Sequence, residues 1–235
     1  MNEYLGEFFG TMMLILLGDG VVAGVLLNRS KAQNAGWMVV TTAWAFAVLF
    51  GILTSKAIGG PGYINPVGPL VNVMNGKLAV GPALGFVAAE MLGAFAGAVL
   101  VWLHYLPHWA ETSDPGLKLA VFCTSPAIRR PPANLLSEAL GTFVLVFAGS
   151  AITADLIGHD LKVPMGAALV WGIGLSLGAT TGYAINPARD LGPRLAHALL
   201  PIPGKGPSDW GYAWVPIVGP ILGAVAGAFM AKAVM

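Results

Sequence analysis

The chain has 235 residues, 56% of them hydrophobic and 10% charged, against about 25% charged in an ordinary soluble domain, so it reads as a membrane protein. A net charge of +1 with 12 scattered Lys and Arg excludes the basic stripe that nucleic acid requires. The single Cys123 excludes an internal disulfide framework, and Pro107 interrupts the one suggestive histidine pair, His104 and His108; neither a metal nor any other cofactor is expected.

The N-terminus, "MNEYLGEFFGTMMLILLG", carries Glu3 and Glu7 where a leader peptide carries Lys or Arg, so its apolar run is read as a membrane span. A helix needs about 20 apolar residues to cross roughly 30 Å of hydrocarbon. Six runs meet that length: 4–27, 37–58, 81–103, 135–157, 163–182 and 213–231. Six crossings leave both termini on one side.

Two further apolar runs, "INPVGPLVNV" (64–73) and "INPARDLGPRLAHALL" (185–200), are too short to cross. Ten residues of helix reach about 15 Å, half the bilayer. Each run opens with Ile-Asn-Pro, in which Asn caps free N–H groups and Pro occupies a first turn where its missing donor is not needed. Both are expected to be half-helices, with N-termini at Asn65 and Asn186.

The two halves of the chain repeat. "EFFGT" and "EALGT" place Glu7 and Glu138 at an offset of 131, the two "INP" triplets stand at an offset of 121, and "LGAFAGA" matches "LGAVAGA" at an offset of 130. Three markers in the same order indicate an internal duplication. Repeat 1 covers about 1–104 and repeat 2 about 134–235, joined by a connecting loop, 105–133, rich in proline and mixed charge. Three crossings per repeat invert the second copy, so the half-helices approach the midplane from opposite faces. The fold class is an all-α membrane protein, six transmembrane helices plus two re-entrant half-helices in an inverted repeat, forming one channel domain. Small residues four apart (Gly81/Gly85, Gly93/Gly97, Gly174/Gly178, Gly219/Gly223/Gly227) are expected at close helix crossings.

Two half-helix N-termini present backbone N–H groups and positive dipole ends at the centre, which repels cations and suits a neutral hydrogen-bond acceptor. The side-chain amides of Asn65 and Asn186 add donors there. Arg189 follows Asn186 by three positions, returns to nearly the same helix face, and is expected to face water and oppose protons and cations. Glu7 and Glu138 are read as buried supports rather than proton relays, and Asp190 as a brace for a loop. Asp19 and Asp155, near span ends, are read as solvated.

These residues resemble the major intrinsic proteins, or aquaporins, over nearly the whole chain: the paired motifs Asn65-Pro66-Val67 and Asn186-Pro187-Ala188, the glutamates of "EFFGT" and "SEALGT", and "GYAINPARD". Asp190 directly after the arginine, and the long loop "LPIPGKGPSDWGYAW", resemble the glycerol-conducting branch, the aquaglyceroporins. The resemblance implies a selectivity constriction of Trp44, Gly174, Tyr183 and Arg189, with Gly174 where water channels usually place His. It implies a passive channel for glycerol, similar small neutral solutes and water, a homotetramer in the cell membrane, and both termini in the cytoplasm. Six basic residues (Arg29, Lys31, Lys118, Arg129, Arg130, Lys205) then lie outside against four inside (Lys56, Lys77, Lys162, Lys232), opposite to the positive-inside rule. Two residues depart from the family pattern, Val67 for the usual Ala and Tyr183 for the usual Phe, leaving glycerol's rank open against water, urea, hydrogen peroxide and undissociated small acids. An ion-coupled transporter is the rival reading, disfavoured because the centre offers Asn, Pro and backbone rather than carboxylates. An enzyme lacks a nucleophile and base pair in the spans.

Overall fold

The computed structural model describes residues 2–153 and 158–235, and these are helical with no strand among them. Among the described residues, five helices are long and apolar enough to cross a membrane: α1 (Asn2–Leu26), α2 (Trp37–Ile58), α4 (Val80–His104), α7 (Pro131–Thr153) and α10 (Val215–Val234). Between them stand the half-helices α3 (Val67–Met74) and α9 (Pro187–Leu199), and α8 (Lys162–Ser176).

Three boundaries differ from the sequence expectation for physical reasons. The run 163–182 is α-helical for only 15 residues, about 22 Å of rise. A 3₁₀ turn, Gly178–Thr180, then delivers the chain to Tyr183. Helix α7 starts at Pro131, inside the expected loop, because Pro131 and Pro132 occupy a first turn that needs no N–H donor; residues 154–157, with Asp155, lie outside the described residues. The connection itself holds two short helices, α5 (Leu106–Glu111) and α6 (Pro115–Phe122). Asp114 opens the second by accepting from the Gly116 N–H at 2.7 Å.

The inverted repeat shows in the packing. Helix α1 lies against α2 and α4, and α7 against α8 and α10, while α2 meets α8 across the halves. Each half-helix touches both third spans: α3 packs on α4 and α10, and α9 does the same. Glycines permit the closest crossings: a Cβ at Gly93 would lie 2.2 Å from the Phe8 carbonyl, and one at Gly223 would lie 2.1 Å from the Ala139 carbonyl. With no hydrophobic drive between helices in lipid, such backbone approach supplies the van der Waals contact that holds the pairs. Gly81 belongs to no crossing, since open space surrounds it. Outward positions such as Phe46, Leu84, Leu140 and Phe229 are exposed, as a hydrocarbon-facing belt requires.

Candidate functional site

The site begins with backbone strain. Ile64 and Ile185, the residues before the two asparagines, have φ of 46° and 42°, in the left-handed region that β-branched residues avoid. Carboxylates hold both. Glu7 Oε2 accepts from the Ile64 N–H at 2.6 Å, and its Oε1 accepts from Ser55 Oγ, Gly62 N–H and Tyr63 N–H. Glu138 Oε2 accepts from the Ile185 N–H at 2.9 Å, and its Oε1 from the Ala184 N–H at 3.0 Å. The strained residues turn their carbonyls to the opposite half: Asn65 Nδ2 donates to the Ile185 oxygen at 2.9 Å, and Asn186 Nδ2 donates to the Ile64 oxygen at 2.8 Å. A two-residue strain of about 1–3 kcal/mol each persists only when its surroundings over-determine it, as these reciprocal bonds do.

The half-helices start nearly alike. Asn186 caps α9 in an extended conformation, its Oδ1 accepting from the Ala188 and Arg189 N–H groups. Helix α3 starts one residue tighter, with Pro66 itself helical, and Asn65 Oδ1 accepts from the Val67 N–H at 3.2 Å. Each asparagine amide carries two hydrogens. One closes the cross-link, which leaves one donor at the centre.

Two cavities meet at three of the four expected constriction residues. The inner cavity, about 160 Å³, reaches both asparagines and is otherwise mostly apolar. The outer one, about 470 Å³, is lined in part by Cys123, Thr124 and Ser125 of the connection. Trp44, Tyr183 and Arg189 line both. Gly174 lies behind them: a Cβ there would stand 2.9 Å from Tyr183 Cζ and 3.0 Å from its hydroxyl. The tyrosine hydroxyl is tucked into the space glycine leaves, buried and without a hydrogen-bond partner. Trp37 fastens this corner, donating to the Gly174 carbonyl at 3.0 Å with its ring edge-on to Tyr183.

Arg189 lies over the Trp44 indole, 4.2 Å from the ring centre, a cation–π distance. The indole packs on Gly18, where any Cβ would fall within 2.3 Å of it. Asp19 is not solvated, contrary to the sequence expectation. It is fully buried, with Oδ1 3.2 Å from Arg189 Nη1, because α1 continues well past it to Leu26 and turns it inward.

Behind Arg189 runs a second charged network. Asp190 accepts from Arg194 Nε at 2.7 Å and Nη2 at 2.9 Å, and from Thr124 N–H and Oγ at 2.8 and 2.6 Å. Arg194 continues to the Ser208, Asp209 and Thr124 carbonyls. Lys205 closes α9, donating to the carbonyls of His197, Ala198 and Leu200 at 2.6–2.7 Å, where a cation complements the helix dipole; burial pulls its ammonium below the usual lysine range.

Sequence reasoning missed Asp19, Ile64, Ile185 and Arg194. A carboxylate inside "LLGDGVV" was a signal, since an intramembrane charge needs a partner. The isoleucines gave none.

Half-helices meeting tip to tip in an inverted six-span repeat, with two cavities joined at an aromatic and arginine constriction, define an aquaporin-type membrane channel fold. A major intrinsic protein family model matches residues 1–231, and the chain belongs to the major intrinsic protein family. It is 54% identical over 228 residues to a probable glycerol uptake facilitator protein of Thermotoga maritima, covering 97% of each chain. It is 37% identical to a D/L-lactic acid transporter of Lactiplantibacillus plantarum, covering 97% of this chain and 96% of that one. Among solved structures it resembles the aquaglyceroporin from Plasmodium falciparum, with TM-score 0.85, 27% identity, and 99% and 96% of the two chains covered.

Proposed function

We propose that this protein is a passive channel that carries glycerol, other small uncharged solutes and water, and excludes ions and protons. One observation carries the reading: the residues shared by the two cavities are two aromatic rings and a guanidinium. A polyol needs an apolar wall for its carbon chain and fixed donors for its hydroxyls. Tyr183 and the edge of Trp44 supply the wall, while Arg189 and the free amide hydrogens of Asn65 and Asn186 supply donors. Cations meet two positive helix ends and, among the described residues that line the cavities, no carboxylate.

The pore centre comprises Asn65, Pro66, Val67, Asn186, Pro187 and Ala188, with Glu7, Glu138 and Asp190 as supports. Gly174 acts by giving Tyr183 room. Glycerol as solute is supported by the relatives named glycerol uptake facilitators, from Thermotoga maritima and from Streptococcus pneumoniae at 47% identity. The same proposal includes the cell membrane, both termini cytoplasmic, repeat limits near 1–104 and 134–235, and a homotetramer with one passage per subunit.

Stopped-flow light scattering on proteoliposomes tests it. Glycerol flux well above that of empty liposomes, independent of any pH or sodium gradient, is expected. Flux equal to empty liposomes overturns the solute, lactic acid flux without glycerol flux reassigns it, and gradient dependence overturns the channel.

A further inference from the structure

Two aspartates stand beside the constriction, and they are treated differently by their surroundings. Asp190 receives four hydrogen bonds, two on Oδ2 from Thr124 alone, and is part of the frame around α9. Asp19 receives one. Its Oδ1 meets Arg189 Nη1 at 3.2 Å, and its Oδ2 is buried with no partner. A carboxylate kept in the middle of an apolar helix at 0% exposure, with half its acceptor capacity unused, contributes little to holding the backbone. Its one partner is the guanidinium that separates the two cavities.

We propose, building on the channel reading above, that Asp19 is a specificity-determining residue. It holds Arg189 to the α1 side of the constriction and cancels its charge, so that neutral solutes pass and small anions are refused. The geometry around the guanidinium supports both parts. Among the described residues, three groups hold Arg189 laterally: Asp19, the Trp44 face, and the Phe122 carbonyl at a long 3.4 Å. Of these only Asp19 is an acidic group. Two half-helix N-termini already make the centre positive, and an uncompensated arginine in line with them would form a well for anions. The ion pair removes that well while leaving the guanidinium's other donors free.

The experiment compares formate with glycerol in proteoliposomes of the full chain, at a pH where formate is ionised. It uses Asp19→Asn, Asp19→Ala and the double variant Asp19→Asn/Arg189→Gln. Asp19→Asn preserves shape and an acceptor but exposes the arginine charge, so the ratio of formate to glycerol permeability should rise by about tenfold or more. Asp19→Ala also frees the guanidinium to swing into the gap, so glycerol flux itself should fall by roughly threefold or more as the ratio rises. The double variant removes both charges, and its ratio should return close to that of the unaltered channel. A purely structural aspartate would change fluxes in parallel without moving the ratio. A ratio unchanged in both single variants overturns the role of Asp19, as does a raised ratio that persists in the double variant. Absence of glycerol flux in the unaltered channel instead overturns the proposed function.

Discussion

Ile64, Asn65 and Pro66 lead into α3 much as Ile185, Asn186 and Pro187 lead into α9, with left-handed isoleucines and crossed amide bonds on both sides. Beyond that point the two half-helices part company. Arg189, Asp190, Arg194 and His197 in α9 correspond, at the same offset of 121, to Gly68, Pro69, Val73 and Gly76 in and just after α3. One half-helix is wired through buried charges to Thr124, Ser208 and Asp209; the other has a single side-chain bond of its own beyond the cap, Asn72 to the Gly68 carbonyl. The meeting of two helix tips therefore needs only backbone, asparagine and glutamate, and is common to both repeats. Of the two half-helices, only α9 carries charged side chains.

The difference has energetic consequences that can be set against each other. Asp190→Ala leaves the Arg194 guanidinium buried and uncompensated, which costs about 3–5 kcal/mol, whereas Pro69→Ala at the matched place in α3 costs less than about 1 kcal/mol. Unfolding of the two variants in detergent measures both. Equal losses would mean that the charged network does not set α9 apart.

Next in size is the pair of supporting glutamates. Glu7 accepts four hydrogen bonds, three from the loop it faces and one from Ser55 of α2, and Glu138 accepts two from its loop. A glutamine keeps one acceptor oxygen and turns an NH2 toward the N–H facing the other, so each variant loses one bond, at about 1–3 kcal/mol. Glu7→Gln should cost more than Glu138→Gln because the bond it loses, from the Ile64 N–H at 2.6 Å, is shorter than either bond to Glu138 at 2.9 and 3.0 Å, with hydrogen exchange rising first at Ile64. The reverse order would show that α3, though poorer in polar contacts, is held chiefly by packing on α4 and α10.

The smallest stability effect and the clearest change in transport belong to Tyr183. Its φ is 37°, and the residue at the matched place is Gly62, with φ 82°. Glycine meets that conformation without cost, while a tyrosine bears roughly 1 kcal/mol of strain. Tyr183→Gly, which makes the second loop like the first, relieves that strain but gives up the ring's packing on Trp37 and Gly174, so stability should fall by less than the few kcal/mol lost at a closed core site, and longer polyols should enter, with erythritol flux rising relative to glycerol. Gly174→Ala should do the opposite, pushing the ring into the gap and lowering glycerol flux more than water flux. If neither variant alters the erythritol to glycerol ratio, Tyr183 does not read the solute.

Much of this was legible in the chain because the signals are local. Ile-Asn-Pro marks a helix start from three consecutive residues, and span lengths follow from hydrocarbon thickness. The glutamates were recognisable because each stands at the same place in its repeat. Other features depend on distant partners. Asp19 was misplaced because its partner lies 170 residues away, and a local reading saw only a charge near a helix end. The isoleucines were invisible because a β-branched side chain argues against the conformation they adopt. Gly174 was read as one of the constriction residues, and the space it leaves for the Tyr183 hydroxyl depends on how that ring turns. The short α8 and the helices α5 and α6 depend on tertiary packing rather than on hydropathy.

The crossed bonds between Asn65 and Ile185, and between Asn186 and Ile64, also impose an order of events during synthesis. A ribosome adds about 5–20 residues each second, so the tip of α3 waits on the order of ten seconds for the chain that will satisfy it. Throughout that interval the Asn65 amide and the Ile64 carbonyl have no mate inside the first repeat. Repeat 1 is thus inserted as an unfinished piece, and the tip of α3 is completed only when the last third of the chain arrives.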